Sequence, residues 1–152
     1  MDQKFSAIIL AAGRGTRMKS SLPKLLHKVL GVTVLDRVIC SVRDAGADDL
    51  IVVLGHDAKT VSGQLADTDI RVAMQTEQLG TAHALLAALD QQPPQHDDVL
   101  VVNGDLPDLD PDQLGSLMQS HRASDAELTV SSCNVDHPTG MGRIVPSTEG
   151  TF

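Results

Sequence analysis

The sequence predicts an α/β domain built on a doubly wound, mainly parallel sheet. Three observations predict it. Short apolar runs alternate with helical patterns, a glycine turn follows the first apolar run directly, and no internal repeat or second core is visible. With 152 residues, 41% of them apolar and 21% charged, the chain is long enough for one real core and ordinary in make-up.

The first strand is expected at about Phe5 to Ala11, where Ala7-Ile8-Ile9-Leu10-Ala11-Ala12 reads as a strand buried on both faces. A helix around Thr33 to Ala45 presents Val34, Leu35, Val38, Ile39 and Val42 on one face, and Gly46 stops it. Leu50 to Leu54 is the second strand, followed by a short helix carrying Ala58, Val61 and Leu65. Ile70 to Met74 is the third strand. A third helix, about Leu79 to Leu89, repeats Leu79, Ala82, Leu85, Leu86 and Leu89 at helical spacing. Gln91 to Asp98, with Pro93-Pro94, is a surface loop. Val99 to Val102 is the fourth strand and runs into Asn103-Gly104-Asp105. A helix from about Pro111 to His121 turns Leu114, Leu117 and Met118 inward. A fifth strand is expected within Ala126 to Val135, and Gly142 to Phe152 reads as a β-hairpin cut short at its turn. The domain therefore reads as incomplete at its C-terminal end.

Composition excludes several functions. With two Phe and no Tyr or Trp, the chain lacks the stacking platforms of single-strand nucleic-acid binders. Its net charge of −8 disfavours broad contact with nucleic acid or an anionic membrane. No stretch approaches the ~20 apolar residues of a membrane span, and the start lacks a signal peptide. Cys40 and Cys133 stand far apart without CxxC spacing, so neither a disulfide framework nor a zinc site is expected, and a reducing cytoplasm is the natural setting.

Charge is placed unevenly. Between Gln3 and Leu35 there is no Asp or Glu, yet Lys4, Arg14, Arg17, Lys19, Lys24 and Lys28 make up half of the twelve Lys and Arg. They surround the turn Gly13-Arg14-Gly15-Thr16-Arg17-Met18. Glycines let backbone N–H groups approach an anion, and Arg and Lys add charge for several phosphate oxygens at once. A solvated basic loop would carry the same charges, so position has to decide. With right-handed crossovers, the strand order 3-2-1-4-5 sets strands one and four side by side. In such sheets ligands bind where the order reverses, beyond the carboxyl ends of the strands. There the glycine turn faces Asp105. A nucleoside triphosphate offers phosphates to the first and a magnesium ion to the second. Neither common phosphate motif is present: Met18 takes the third glycine position of G-x-G-x-x-G, and no G-x-x-x-x-G-K-[ST] occurs.

Leu10-Ala11-Ala12-Gly13-Arg14-Gly15-Thr16-Arg17-Met18, with Pro23-Lys24 following, resembles the signature of the sugar-phosphate nucleotidyltransferases. Ser20-Ser21-Leu22-Pro23-Lys24, Gln75-Thr76-Glu77-Gln78-Leu79-Gly80-Thr81-Ala82-His83 and Pro138-Thr139-Gly140-Met141-Gly142-Arg143-Ile144 narrow the resemblance. They are similar to the N-terminal domain of the bacterial bifunctional N-acetylglucosamine-1-phosphate uridyltransferase/glucosamine-1-phosphate acetyltransferases. The similarity runs over essentially the whole chain, with the motifs in the family's order. It implies the Rossmann-like nucleotide-diphospho-sugar transferase fold, with residues 1–152 as a partial nucleotidyltransferase domain and the β-helical acetyltransferase domain absent.

The resemblance also implies roles. Leu10, Ala11, Ala12 and Gly13 would hold uracil and ribose by backbone contacts, and Gln75, Gly80 and Thr81 would complete the uracil pocket. Gly15, Arg17 and Lys24 would handle phosphates, with Arg17 and Lys24 as the catalytic cations. Thr16, Gln78, Asn103 and Gly104 join the nucleotide contacts, Asp105 would hold Mg²⁺, and Gly142 would touch the sugar. Asn103 stands where the family usually has an aromatic residue, which alters one wall of the pocket. On the residues alone, Gln75 reads as a surface polar residue, and His27, His56 and His83 read as core or capping residues. The implied reaction is magnesium-dependent uridylyl transfer from UTP to N-acetylglucosamine 1-phosphate for cell-wall precursor synthesis. No nucleic acid or membrane takes part, and a trimer is expected only with the missing C-terminal domain. Two alternatives stand: a related nucleotidyltransferase with another base or acceptor, and a nucleotide-binding fragment without turnover.

Overall fold

A computed structural model of the protein describes residues 4–13, 15, 18–65 and 69–145. Four parallel strands form the main sheet in the order β5-β4-β1-β6: β1 (Phe5–Ala11), β4 (Ala47–Leu54), β5 (Arg71–Met74) and β6 (Val99–Asn103). This is the expected order for the first four main strands, so the doubly wound α/β architecture stands. A second, two-stranded sheet pairs β2 (Lys28–Val29) with β3 (Val32–Thr33) in antiparallel fashion. Its turn residues, Leu30 and Gly31, both have positive φ, as a type I′ hairpin requires. The sequence reading has no counterpart for this hairpin.

Helices cover both faces of the sheet, which is why β1 and β4 are apolar on both sides. On one face lie α1 (Val34–Asp44), α2 (Ala58–Leu65) and α4 (Pro111–Arg122), packed on Ala7, Ile9, Leu50, Val52 and Leu100. Helix α1 buries the five residues expected of it. Thr33 caps it, accepting the Asp36 N–H and donating to the Asp36 carboxylate, and Gly46 closes it at φ 111°.

Helix α3 (Thr81–Gln91) lies on the other face and corrects the expected packing. Its buried residues are Ala84 and Ala88, against Ile8, Ile51, Val53 and Ala73, with Leu85 half-buried. Leu79, Leu86 and Leu89 are exposed. Two alanines one turn apart bring the helix close to the sheet, so the leucine stripe points elsewhere. The helix also starts two residues later than expected, because Gly80 sits at φ 102° outside the helical region.

One further expectation fails, and another falls mostly outside the described residues. No strand forms within Ala126 to Val135, although Leu128 and Val130 alternate correctly. Alternation specifies a face, but a strand also needs a neighbour for its N–H and C=O groups, and this segment pairs with none. The outer edge of β6 accordingly has no partner among the described residues. Of the expected hairpin, 146–152 lie outside the described residues, and 142–145 pair with no strand among the described ones.

At the amino end of the sheet a polar cluster joins three strands. Asp49 accepts from Ser6 Oγ (2.6 Å), from the Gln95 N–H (2.9 Å) and from Arg71, whose Nη2 reaches both carboxylate oxygens (2.6 and 2.7 Å). Burial would raise the Asp49 pKa. The hydrogen bonds from Ser6, Gln95 and Arg71, with the charge of Arg71, outweigh it and hold the carboxyl below its usual range.

Candidate active site

Strand register brings four chain segments to one end of the sheet. Ala11 pairs with Leu54, Leu54 with Met74, and Leu10 with Asn103, so all four strands finish nearly level. The glycine turn, Gly55, Gln75 and Gly104-Asp105 therefore emerge side by side. The order reverses between β1 and β6, with β4 and β5 on one flank, which is where an open α/β sheet forms its crevice. An open cleft of about 440 Å³ lies there.

The cleft wall contains Leu10, Ala11, Ala12, Gly13, Lys24, Gln75, Gln78, Gly80, Thr81, Asn103 and Asp105. These are eleven of the residues expected from sequence, drawn from segments as far as 95 positions apart. Leu25 and Ala84 also line it and were not expected. Gly15 lies beside the cleft, so close to Lys24 that an added Cβ would fall 2.8 Å from the Lys24 Cβ. Gly104 approaches β1 as closely: its N–H donates to the Leu10 carbonyl at 2.8 Å, and a Cβ there would meet that oxygen at 3.1 Å. Gly142 lies in the exposed tail and does not line the cleft. Arg14, Thr16 and Arg17 lie outside the described residues.

One side of the cleft is charged. Lys24, brought in by the short 3₁₀ turn Lys24–Leu26, donates through Nζ to the Asp105 carboxylate. Both side chains are about a third exposed, at 32% and 39%, so solvent or a ligand can reach either. The other side carries amides. Gln75 continues β5 by one residue, its N–H donating to the Leu54 carbonyl at 2.8 Å. Its side chain is buried (the residue is 5% exposed), which corrects the surface reading of that residue taken alone. Its Nε2 donates to the Gly80 carbonyl at 3.1 Å and lies 3.0 Å from His83 Nδ1. Gln78 Nε2 donates to the Ala12 carbonyl at 2.7 Å and so ties this loop to the glycine turn.

Helix α3 begins at this wall. Thr33 caps α1 and Asp110 caps α4 through their side chains, but Gly80 offers α3 none. The first N–H groups of α3 therefore remain without a helical partner beside the cleft. Cleft, cation, carboxylate, buried amide and the uncapped start of α3 together suit a ligand with a heterocyclic edge at one end and phosphates at the other. Sequence reasoning gave His83 only a core or capping role and did not connect it with Gln75. Its role depends on the strand end and the helix start meeting in space, which no local pattern signals.

Comparison with known proteins places these observations. A family model described as a MobA-like NTP transferase domain matches residues 7–147. The bifunctional protein GlmU of Syntrophomonas wolfei is 44% identical over 149 residues, which are 98% of this chain and 33% of that protein. This chain spans about a third of the length of the curated relatives it matches. Among solved structures, a nucleotidyl transferase from Methanothermobacter thermautotroptrophicus superposes with a TM-score of 0.67 at 32% identity, covering 75% of this chain and 56% of that one. The manganese complex of Rv0371C from Mycobacterium tuberculosis H37Rv gives a TM-score of 0.65 at 28% identity, covering 79% and 60%.

Proposed function

The chain belongs to the MobA-like NTP transferase family, and from that premise we propose that its cleft binds UTP with Mg²⁺ for uridylyl transfer to N-acetylglucosamine 1-phosphate. In this reading residues 1–152 are the nucleotide-binding half of a nucleotidyltransferase domain. The observation that carries it is the division of the cleft. Buried Gln75 with Gly80-Thr81 forms one end, and the Lys24–Asp105 pair forms the other. The GlmU relatives support the acceptor, and the manganese-bound neighbour supports a divalent ion.

The donor set suits Mg²⁺ that arrives with nucleotide. Among the described residues no group of three or more His, Cys, Asp or Glu could cage a metal, whereas Asp105 offers one reachable carboxylate. Mg²⁺ is commonly held by one or two carboxylates with phosphate oxygens and water. Asp105 would hold it, and when bound it neutralises charge on the triphosphate.

An oxygen of the acceptor's phosphate attacks the α-phosphorus of UTP. The bond from that phosphorus to the α–β bridging oxygen breaks, and pyrophosphate leaves with the electron pair. The attacking phosphate is ionised at neutral pH, so no general base is required. The chain's task is alignment and charge: Lys24 meets phosphate oxygens, the strand-end backbone holds the nucleoside, and Leu10, Leu25 and Ala84 give it an apolar surface to lie against.

Calorimetric titration with UTP and GTP at equal Mg²⁺ tests the reading. UTP is expected to bind more tightly. Equal or tighter GTP binding overturns the uracil assignment.

A further inference from the structure

Gln75 has one amide nitrogen with two hydrogens and one carbonyl oxygen, and its surroundings fix which end faces where. A backbone carbonyl can only accept, so the atom 3.1 Å from the Gly80 oxygen is the nitrogen. That nitrogen then meets His83 Nδ1 at 3.0 Å. Nδ1 must accept the second amide hydrogen, which places the imidazole proton on Nε2. Both amide hydrogens are thereby engaged by protein. Oε1 has no donor among the described residues, and it is not sealed in the core, since no buried side-chain polar atom there lacks a partner. Gln75 lines the cleft. The polar atom it offers there is an acceptor.

We propose that His83 is the positioning residue that locks the Gln75 amide with Oε1 toward the cleft, so that the site takes a base presenting a ring N–H at that edge and rejects cytosine. The inference rests on the reading that the cleft binds a pyrimidine nucleotide. Uracil carries a hydrogen on N3, which donates to Oε1. Cytosine has a lone pair on N3, which faces Oε1 unpaired and at a cost comparable to a lost hydrogen bond. If the amide turned over, that preference would invert, since an NH₂ group would face the base. Two acceptors hold the amide against turning, the Gly80 carbonyl and His83 Nδ1. The second depends on a side chain and can be removed without disturbing the backbone.

The test compares UTP and CTP affinities, at equal Mg²⁺, for the wild-type chain, His83→Phe and His83→Asn. Wild type is expected to favour UTP by about tenfold or more, the scale of one unsatisfied hydrogen bond. His83→Asn, which can set an acceptor oxygen near the Nδ1 position, should keep that ratio within about threefold. His83→Phe keeps a ring but no acceptor, and its ratio should fall by about fivefold or more. A Phe variant with the wild-type ratio overturns the role of His83 and leaves the base assignment standing. A wild-type chain that does not discriminate UTP from CTP overturns the base assignment itself. Imidazole ¹⁵N chemical shifts of the wild-type protein supply a check that needs no variant: His83 should carry its proton on Nε2, and a proton on Nδ1 overturns the proposal.

Discussion

Each end of the sheet holds an aspartate paired with a Lys or Arg, and the two pairs are used differently. At the amino end, Asp49 and Arg71 are 3% and 25% exposed, and Asp49 also accepts from Ser6 and from the Gln95 backbone. At the carboxyl end, Lys24 and Asp105 are 32% and 39% exposed and have each other. In the first pair Oδ2 accepts from Ser6, Gln95 and Arg71 and Oδ1 accepts twice from Arg71, so breaking the pair strands a charge out of water. In the second, solvent and ligand can replace either partner at little cost. The number of protein partners, more than the presence of an ion pair, separates a structural acid from one available to a ligand.

The comparison can be broken most sharply at the buried end. Arg71→Ala should destabilise the fold by about 3 kcal/mol, because Asp49 keeps its burial and loses its counter-charge. Urea denaturation reads this as a lower midpoint with an unchanged slope. The folded fraction should bind UTP as wild type does. A loss below about 1 kcal/mol would erase the contrast.

Lys24→Ala should show the reverse. The affinity for UTP with Mg²⁺ is expected to fall about tenfold or more, the scale of a charged hydrogen bond, with stability within about 1 kcal/mol of wild type. Isothermal titration and urea midpoints, taken on the same sample, decide whether the loss lies in binding or in folding.

The smallest effect concerns acid. The folded Asp49 carboxyl ionises below its unfolded value of about 3.9, so its contribution to stability is complete above that pH and is lost as pH falls through the folded value. Urea midpoints at pH 5 and pH 3 should therefore decline more in wild type than in Asp49→Asn. Equal declines would mean that the amino-end cluster does not discriminate the charged carboxylate from a neutral amide.

Much of this molecule is legible in its sequence where burial is two-sided or the apolar stripe is broad. β1 and β4 read as apolar runs because helices cover both faces, and α1 reads correctly because five large residues mark its face. Helix α3 misleads because its contact is made by Ala84 and Ala88, which carry little hydropathy, while its leucines face outward. The segment 126–135 has the pattern of a strand without a partner, and pairing is a non-local property. The two-residue strands around Leu30-Gly31 are too short to show any period. In the site, position alone singled out the glycine turn, Lys24 and Asp105, and family resemblance was needed for Gln75. His83 required the fold, since what matters is one nitrogen 3.0 Å from an amide.

If the cleft takes a nucleotide with its cation as proposed, the exposed pairing of Lys24 with Asp105 makes anion and cation binding mutually dependent. An anion that draws Lys24 away leaves Asp105 with an uncompensated negative charge, and the site's appetite for a cation rises. A cation that settles on Asp105 releases Lys24, and the site's appetite for an anion rises in turn. Thermodynamic reciprocity makes the two enhancements equal. A free anion and a free cation each meet a site already satisfied by its own partner, whereas the anion–cation complex replaces both halves at once. In the proposed reading the ligand-free contact would act as a filter for charge pairs, ahead of any contact with a base.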